Sequence, residues 1–145
     1  MTTRREFVHA SARIVASTAA ASVLAPVVAS CGSDAKRAPL FEASFDVAPL
    51  AADGDTLVTP TPGFDGAPIL IERRSPRAFV ALSMQCTHEG CPVKPPSGGI
   101  IKCPCHGSEY DLDGKVLHGP AQFPLARYEV SYRSRSRRLM VRKDA

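Results

Sequence analysis

Four of the five cysteines and two of the four histidines fall within residues 86–111, in two short runs. The first run reads Cys86-Thr87-His88-Glu89-Gly90-Cys91-Pro92. The second begins eleven residues further on and reads Cys103-Pro104-Cys105-His106-Gly107-Ser108-Glu109-Tyr110-Asp111. Each run opens on a Cys with a His close behind, as Cys-x-His and Cys-x-x-His. Together they supply two thiolates and two imidazoles. Zinc accepts such a set in one tetrahedron. A [2Fe–2S] cluster also accepts it, with both Cys on one iron and both His on the other. Spacing alone leaves both open, although Cys-x-His is tight for zinc, whose paired ligands lie about two to four residues apart. Cys91 and Cys105 remain, in matching places in the two runs. A second pair of thiols there would suit a disulfide tying loop to loop.

Two metal-binding loops need a scaffold, and the flanking sequence reads as short strands. Ile69-Leu70-Ile71-Glu72 predicts a strand, residues 73–77 a turn around Pro76, and residues 79–84 a returning strand that delivers the chain into Cys86. Residues 100–102 form a short strand leading into Cys103, and residues 109–112 leave the second run as a strand. Asp113-Gly114 predicts a tight hairpin turn and residues 115–117 the return. Residues 41–47 alternate apolar and polar, and residues 128–132 and 139–142 supply two more strands. Residues 56–59 form a short strand. Residues 60–68 read as loop, with Pro62-Gly63 and Asp65-Gly66 as turn signals. Arg133, Arg135, Arg137 and Arg138 fall at the last turn and read as a solvated hairpin tip. His118 reads as an exposed strand residue. There is no internal repeat and no long amphipathic helix, so the fold class is all-β.

The first 31 residues read differently. Thr3-Arg4-Arg5-Glu6-Phe7-Val8 resembles a twin-arginine export signal, and an uncharged, Ala- and Ser-rich stretch follows over residues 14–30. That stretch suits a signal core better than a spanning helix, which needs about 20 predominantly apolar residues. Val28-Ala29-Ser30-Cys31 resembles a lipobox, which would make Cys31 a lipidated N-terminus and account for the odd cysteine. The expected organisation is a signal over residues 1–31, a linker over 32–40 and one domain over 41–145. Formal net charge is +4, but 15 basic and 13 acidic side chains follow Cys31, which leaves +2. That balance gives no case for nucleic-acid binding. Export to an oxidising compartment favours a persistent disulfide. Iron–sulfur assembly needs cytosolic machinery, and a twin-arginine route carries cargo already folded.

With these residues in view, Cys86-Thr87-His88-x-Gly90-Cys91 and Cys103-Pro104-Cys105-His106-Gly107-Ser108-x-Tyr110-Asp111 resemble the Rieske [2Fe–2S] proteins, and closely the cytochrome bc1/b6f branch. Gly119-Pro120-Ala121 resembles that branch's proline loop, which covers the cluster. The resemblance implies a small antiparallel β sandwich holding one [2Fe–2S] cluster between two loops at one tip. It implies Cys86 and Cys103 on the inner iron, His88 and His106 on the outer iron, and a Cys91–Cys105 disulfide. It also implies that Ser108 donates a hydrogen bond to a bridging sulfide and Tyr110 to the Cys86 sulfur. Neutral imidazoles in place of two thiolates put such potentials at about −150 to +300 mV. The two hydroxyl donors favour the upper part of that range. The histidines would couple electron to proton transfer, because reduction raises imidazole basicity.

Two features depart from the family. Glu89 stands where quinol-oxidising members usually carry Leu, and the connector from His88 to Cys103 is slightly short, closing through Pro95-Pro96-Ser97-Gly98-Gly99. Both bear on docking to cytochrome b. So does a lipid tether where relatives usually carry a membrane-spanning anchor. The leading expectation is the exported, membrane-tethered iron–sulfur subunit of a quinol–cytochrome c reductase-like complex, working between cytochrome b and cytochrome c. The alternatives are the small subunit of a periplasmic molybdenum oxidoreductase of the arsenite-oxidase type, or a free-standing carrier. Each is an electron-transfer component, with no catalytic residues of its own. A structural Cys2His2 zinc module is the reading from another class. It would show neither the visible spectrum nor the paramagnetic signal of a reduced iron–sulfur centre.

Overall fold

The computed structural model describes residues 38–144. The expected export signal, Cys31 and most of the linker lie outside these residues. Nine strands form three antiparallel three-stranded sheets, and no helix occurs among the described residues. The all-β expectation therefore holds. The strands are β1 (Phe41–Asp46), β2 (Thr56–Pro62), β3 (Pro68–Ser75), β4 (Ala78–Ser83), β5 (Ile101–Lys102), β6 (Glu109–Tyr110), β7 (Val116–His118), β8 (Glu129–Arg133) and β9 (Arg138–Lys143). The sheets run β1-β9-β8, β2-β3-β4 and β5-β6-β7.

β3 and β4 are buried on both faces, which explains their nearly unbroken apolar runs. Successive side chains of a strand point to opposite faces. Ile69, Ile71, Phe79 and Ala81 therefore join one core with Phe45, Leu139, Val141 and Tyr128 from the β1-β9-β8 side. Leu70, Val80 and Leu82 join a second core with Ile101, Tyr110, Leu125, Cys86 and Cys103. The β2-β3-β4 sheet is thus the shared middle layer, and the metal-loop layer packs on its far face. Each fully buried Ile or Leu here contributes roughly 1.5–3 kcal/mol.

The loop-bearing segment leaves the sandwich after β4 and rejoins it at β8. The rejoining is pinned by Ser83 N–H to Ala126 O (2.8 Å) and Tyr128 N–H to Ala81 O (3.0 Å). Charges tie the layers together as well. Asp113, in the β6–β7 turn, lies 3.4 Å from Arg74 Nη2 of β3 and 3.6 Å from Arg127 Nη1.

Two local expectations are corrected. Residues 60–62 are strand rather than loop: β2 is an edge strand, where proline's missing N–H costs no ladder bond, and its register shifts between Val58 and Pro62. The β6–β7 turn is longer than two residues. The Asp111 carboxylate accepts from Asp113 N–H (2.9 Å) and Lys115 N–H (2.8 Å), which ends β6 at Tyr110.

Glu72 is a buried carboxylate on β3 with one oxygen unpartnered and Arg74 Nε 3.2 Å from the other. Burial pushes its carboxyl above the ordinary 4.5, Arg74 offsets part of this, and Asp113 adds to it. A carboxyl with a raised folded-state value holds its proton more tightly when folded, so stability is lost as pH rises through that value. Glu72→Gln is expected to remove this slope. Denaturant midpoints measured upward from pH 4.5 should fall for the wild type relative to the variant. Parallel curves would contradict it.

Candidate metal centre

The two cysteine runs fold into the same six-residue turn. Cys86 N–H donates to Cys91 O (2.8 Å) and Gly90 N–H to Cys86 O (2.9 Å). Cys103 N–H donates to Ser108 O (2.8 Å) and Gly107 N–H to Cys103 O (3.2 Å). Gly90 and Gly107 occupy the same place in each turn, at φ 76° and 80°, where a side chain would be strained. The unequal Cys-to-His spacings conceal this equality, because the histidines leave the two turns at different steps.

The opening cysteine of each turn faces inward. Cys86 and Cys103 are 3% exposed and carry free thiols, while both histidines are exposed on the outer slope. His88 Nδ1 and His106 Nδ1 face each other at 3.2 Å with the rings perpendicular. Two nitrogens bound to one tetrahedral ion at about 2.0–2.1 Å lie about 3.3–3.4 Å apart, so this pair fits one metal ion. Among the described residues, no group of donor atoms within 4.8 Å of one another joins these imidazoles to the two free thiols. Separate pairs of thiols and imidazoles fit a two-iron cluster, with each iron taking one pair, and do not fit a single zinc ion. The other two cysteines among the described residues form the Cys91–Cys105 disulfide, which joins the turns.

Hydrogen-bond donors crowd the inner sulfurs. Burial pushes the Cys86 thiol up. The Tyr110 hydroxyl, the His88 N–H, Cys103 and Ser108 outweigh it, leaving Cys86 below the usual thiol value of 9.0. Cys103 goes the other way. Burial and the Cys86 thiol raise it, against the Cys105 and His106 N–H groups. Tyr110 is fully buried, and its hydroxyl lies 3.2 Å from Cys86 Sγ. Burial first, then Cys86, raises its pKa above the ordinary 10.0, so the hydroxyl keeps its proton and stays a donor. The fully buried Ser108 Oγ accepts from Ala121 N–H at 3.0 Å, beside the cis Gly119–Pro120 bond, which leaves its own proton to give.

Every expected site residue from Cys86 to Tyr110 therefore gathers at one end of the third layer. Sequence reasoning passed over Thr87. Its N–H and hydroxyl both lie on the Tyr110 hydroxyl (3.2 and 3.1 Å), and its own proton goes to the Phe123 carbonyl. Only its place between two ligand positions marked it, since Phe123 is 36 residues away. Glu89 holds its carboxylate 3.6 Å from His106 Nδ1 and 3.9 Å from His88 Nε2.

Known proteins resemble this chain. Residues 53–129 match the family model of the Rieske [2Fe–2S] domain. The cytochrome b6-f complex iron-sulfur subunit of Trichodesmium erythraeum is 47% identical over 68 residues, covering 44% of this chain and 37% of that protein. The carotenoid phi-ring synthase of Chlorobaculum tepidum is 44% identical over 66 residues, covering 45% of this chain but 10% of that one. The chain spans between 10% and 40% of the length of the curated relatives it matches. The crystal structure of a plasma membrane Rieske protein from Synechocystis PCC 6803 superposes with a TM-score of 0.50 at 32% identity, over 59% of this chain and 84% of that one. With just over half of its residues on the family model, and a donor set that fits the cluster, the chain belongs to the Rieske [2Fe–2S] family and carries one such cluster.

Proposed function

We propose that the protein is a high-potential one-electron carrier in which Cys86 and Cys103 hold the inner iron and His88 and His106 the outer. The cluster, when bound, takes up and gives back one electron within a range of about −150 to +300 mV. The observation that carries the high-potential reading is the buried Tyr110 hydroxyl on Cys86 Sγ. A donor on sulfur stabilises added negative charge there, and Ser108 has a second hydroxyl proton free to do the same.

Redox titration of the loaded protein is the direct test. The midpoint should fall in the upper half of the family range, and a value near its lower end would overturn the reading. Tyr110→Phe and Ser108→Ala should each lower the midpoint by tens of mV, on the order of 1 kcal/mol at ~59 mV per tenfold. Glu89→Leu should raise it by a similar amount, roughly tens of mV, because it removes a negative charge beside both imidazoles. Unmoved midpoints in these variants would refute the roles given to those side chains.

The setting favoured is the iron–sulfur subunit of a quinol–cytochrome c reductase-like complex. Matches to b6-f iron-sulfur subunits support it. Glu89 favours a second setting, a free-standing carrier or the small subunit of a molybdenum oxidoreductase, since an apolar docking socket would leave the carboxylate unpaired. Co-purification of a b-type cytochrome from membranes would select the first. Export by the twin-arginine route and tethering through lipid on Cys31 belong to the same proposal, with residues 1–31 as signal and 41–145 as the cluster domain. Labelling with a radioactive fatty acid, lost in Cys31→Ser, would support the tether.

A further inference from the structure

The end of the molecule that carries the histidines is built from three segments, residues 86–92, 103–108 and 119–124. Glu89 is the one Asp, Glu, Lys or Arg among them. Its side chain is 62% exposed and sits over both imidazoles. Around it the segments expose apolar or neutral groups: Pro92, Pro104, Pro120 and Phe123, the last 67% exposed. A partner that covers the histidines must also cover this carboxylate. Burying an ionised carboxylate without a partner is strongly unfavourable, whereas a cation placed opposite it offsets the loss of water. The partner's face must therefore supply that cation inside an otherwise apolar contact.

We infer that Glu89 selects the redox partner: the end bearing the histidines docks on a protein surface that sets an arginine or lysine against the Glu89 carboxylate. A partner with an all-apolar socket is discriminated against by the same charge. The inference rests on the electron-carrier reading above and adds the chemistry of the partner. It also runs against the global charge. The residues after Cys31 are net positive, formally +2, so net charge alone would weakly repel a basic protein.

The probes are a basic c-type cytochrome and an acidic blue-copper protein, offered to the loaded full chain with binding measured by calorimetry. Wild type is expected to bind the basic probe more tightly, and to lose several-fold in affinity as salt rises from about 20 to about 200 mM. Glu89→Gln should lose most of that salt dependence, and Glu89→Lys should shift the preference to the acidic probe. Position 89 is exposed, and the visible spectrum reports whether each variant is loaded. Equal affinities and equal salt slopes in wild type, Glu89→Gln and Glu89→Lys would overturn the inference. Electron transfer to the bound probe is followed separately. Docking through Glu89 without transfer would overturn the carrier reading alone, and transfer indifferent to the charge at position 89 would overturn the docking alone.

Discussion

Serine at both Cys91 and Cys105 is expected to destabilise the domain by about 3 kcal/mol and to speed loss of its cluster. The bond joins cysteines 14 apart in sequence, and the chain-entropy account assigns a loop of about 15 residues roughly 3 kcal/mol. For a domain of this size that corresponds to a melting temperature lower by roughly 10–20 °C. The local consequence is larger than the global one. The backbone hydrogen bonds that shape each turn stay within that turn, Cys86 to Cys91 and Gly90 in one, Cys103 to Ser108 and Gly107 in the other. Apart from the disulfide, the turns meet only through side chains: the His88–His106 pair, Glu89 beside His106, and Cys86 with Cys103 and Ser108, with Tyr110 behind them. Without the covalent bond, only these side-chain contacts would hold the 3.2 Å separation of the two Nδ1 atoms. Thermal melts and the decay of visible absorbance in air would measure both effects. A melting point within a few degrees of wild type, with an equally long-lived cluster, would refute the claim.

Gly63→Ala is expected to cost at least as much as the upper end of the usual overpacking range, about 1–3 kcal/mol. A Cβ at position 63 would lie 1.9 Å from the Tyr128 hydroxyl oxygen, 2.9 Å from its Cζ and 3.2 Å from Ile69 Cγ1. Neither neighbour can yield easily, since Ile69 and Tyr128 are both buried between the first two sheets. Phe41 and Phe64 pack edge-on against the Tyr128 ring. The hydroxyl that would collide contributes little. Burial first, then Asp65, pushes its pKa up to about 12, and only the Phe64 N–H nearby works the other way. Tyr128→Phe alone should therefore be close to neutral, because the hydroxyl it removes is buried with little beyond the Phe64 N–H to meet it. In the Gly63→Ala background it should recover a good part of the loss, through strong coupling between the two sites. Denaturant melts of the four proteins measure this. Additive effects would show that the Gly63 requirement lies elsewhere.

The metal centre was legible because its chemistry is local. Cys86, His88, Cys103 and His106 declare themselves by residue type and spacing, and the strands delivering them declare themselves by alternation and turn residues. The resemblance to a known family placed Cys91 against Cys105 and Tyr110 against Cys86, and both contacts are present. Where local rules erred, the tertiary setting overrode them. Pro60 and Pro62 read as loop, yet they extend an edge strand that needs no N–H from them.

Residues 86–111 by themselves supplied the candidate donors and their turns, because ligand identity and turn geometry are properties of a few adjacent residues; the choice between zinc and a two-iron cluster came from the family likeness and the paired arrangement of the donors. Packing decided what surrounds those groups. The third layer on the far face of β3 and β4, the Thr87 hydroxyl between Tyr110 and Phe123, the closeness of Gly63 to Tyr128 and the Glu89 carboxylate over two imidazoles all join residues distant in the chain or set how adjacent ones turn. Such contacts depend on strand register and on which face each side chain takes. The many residues between them set those features jointly, and no short stretch of sequence carries them.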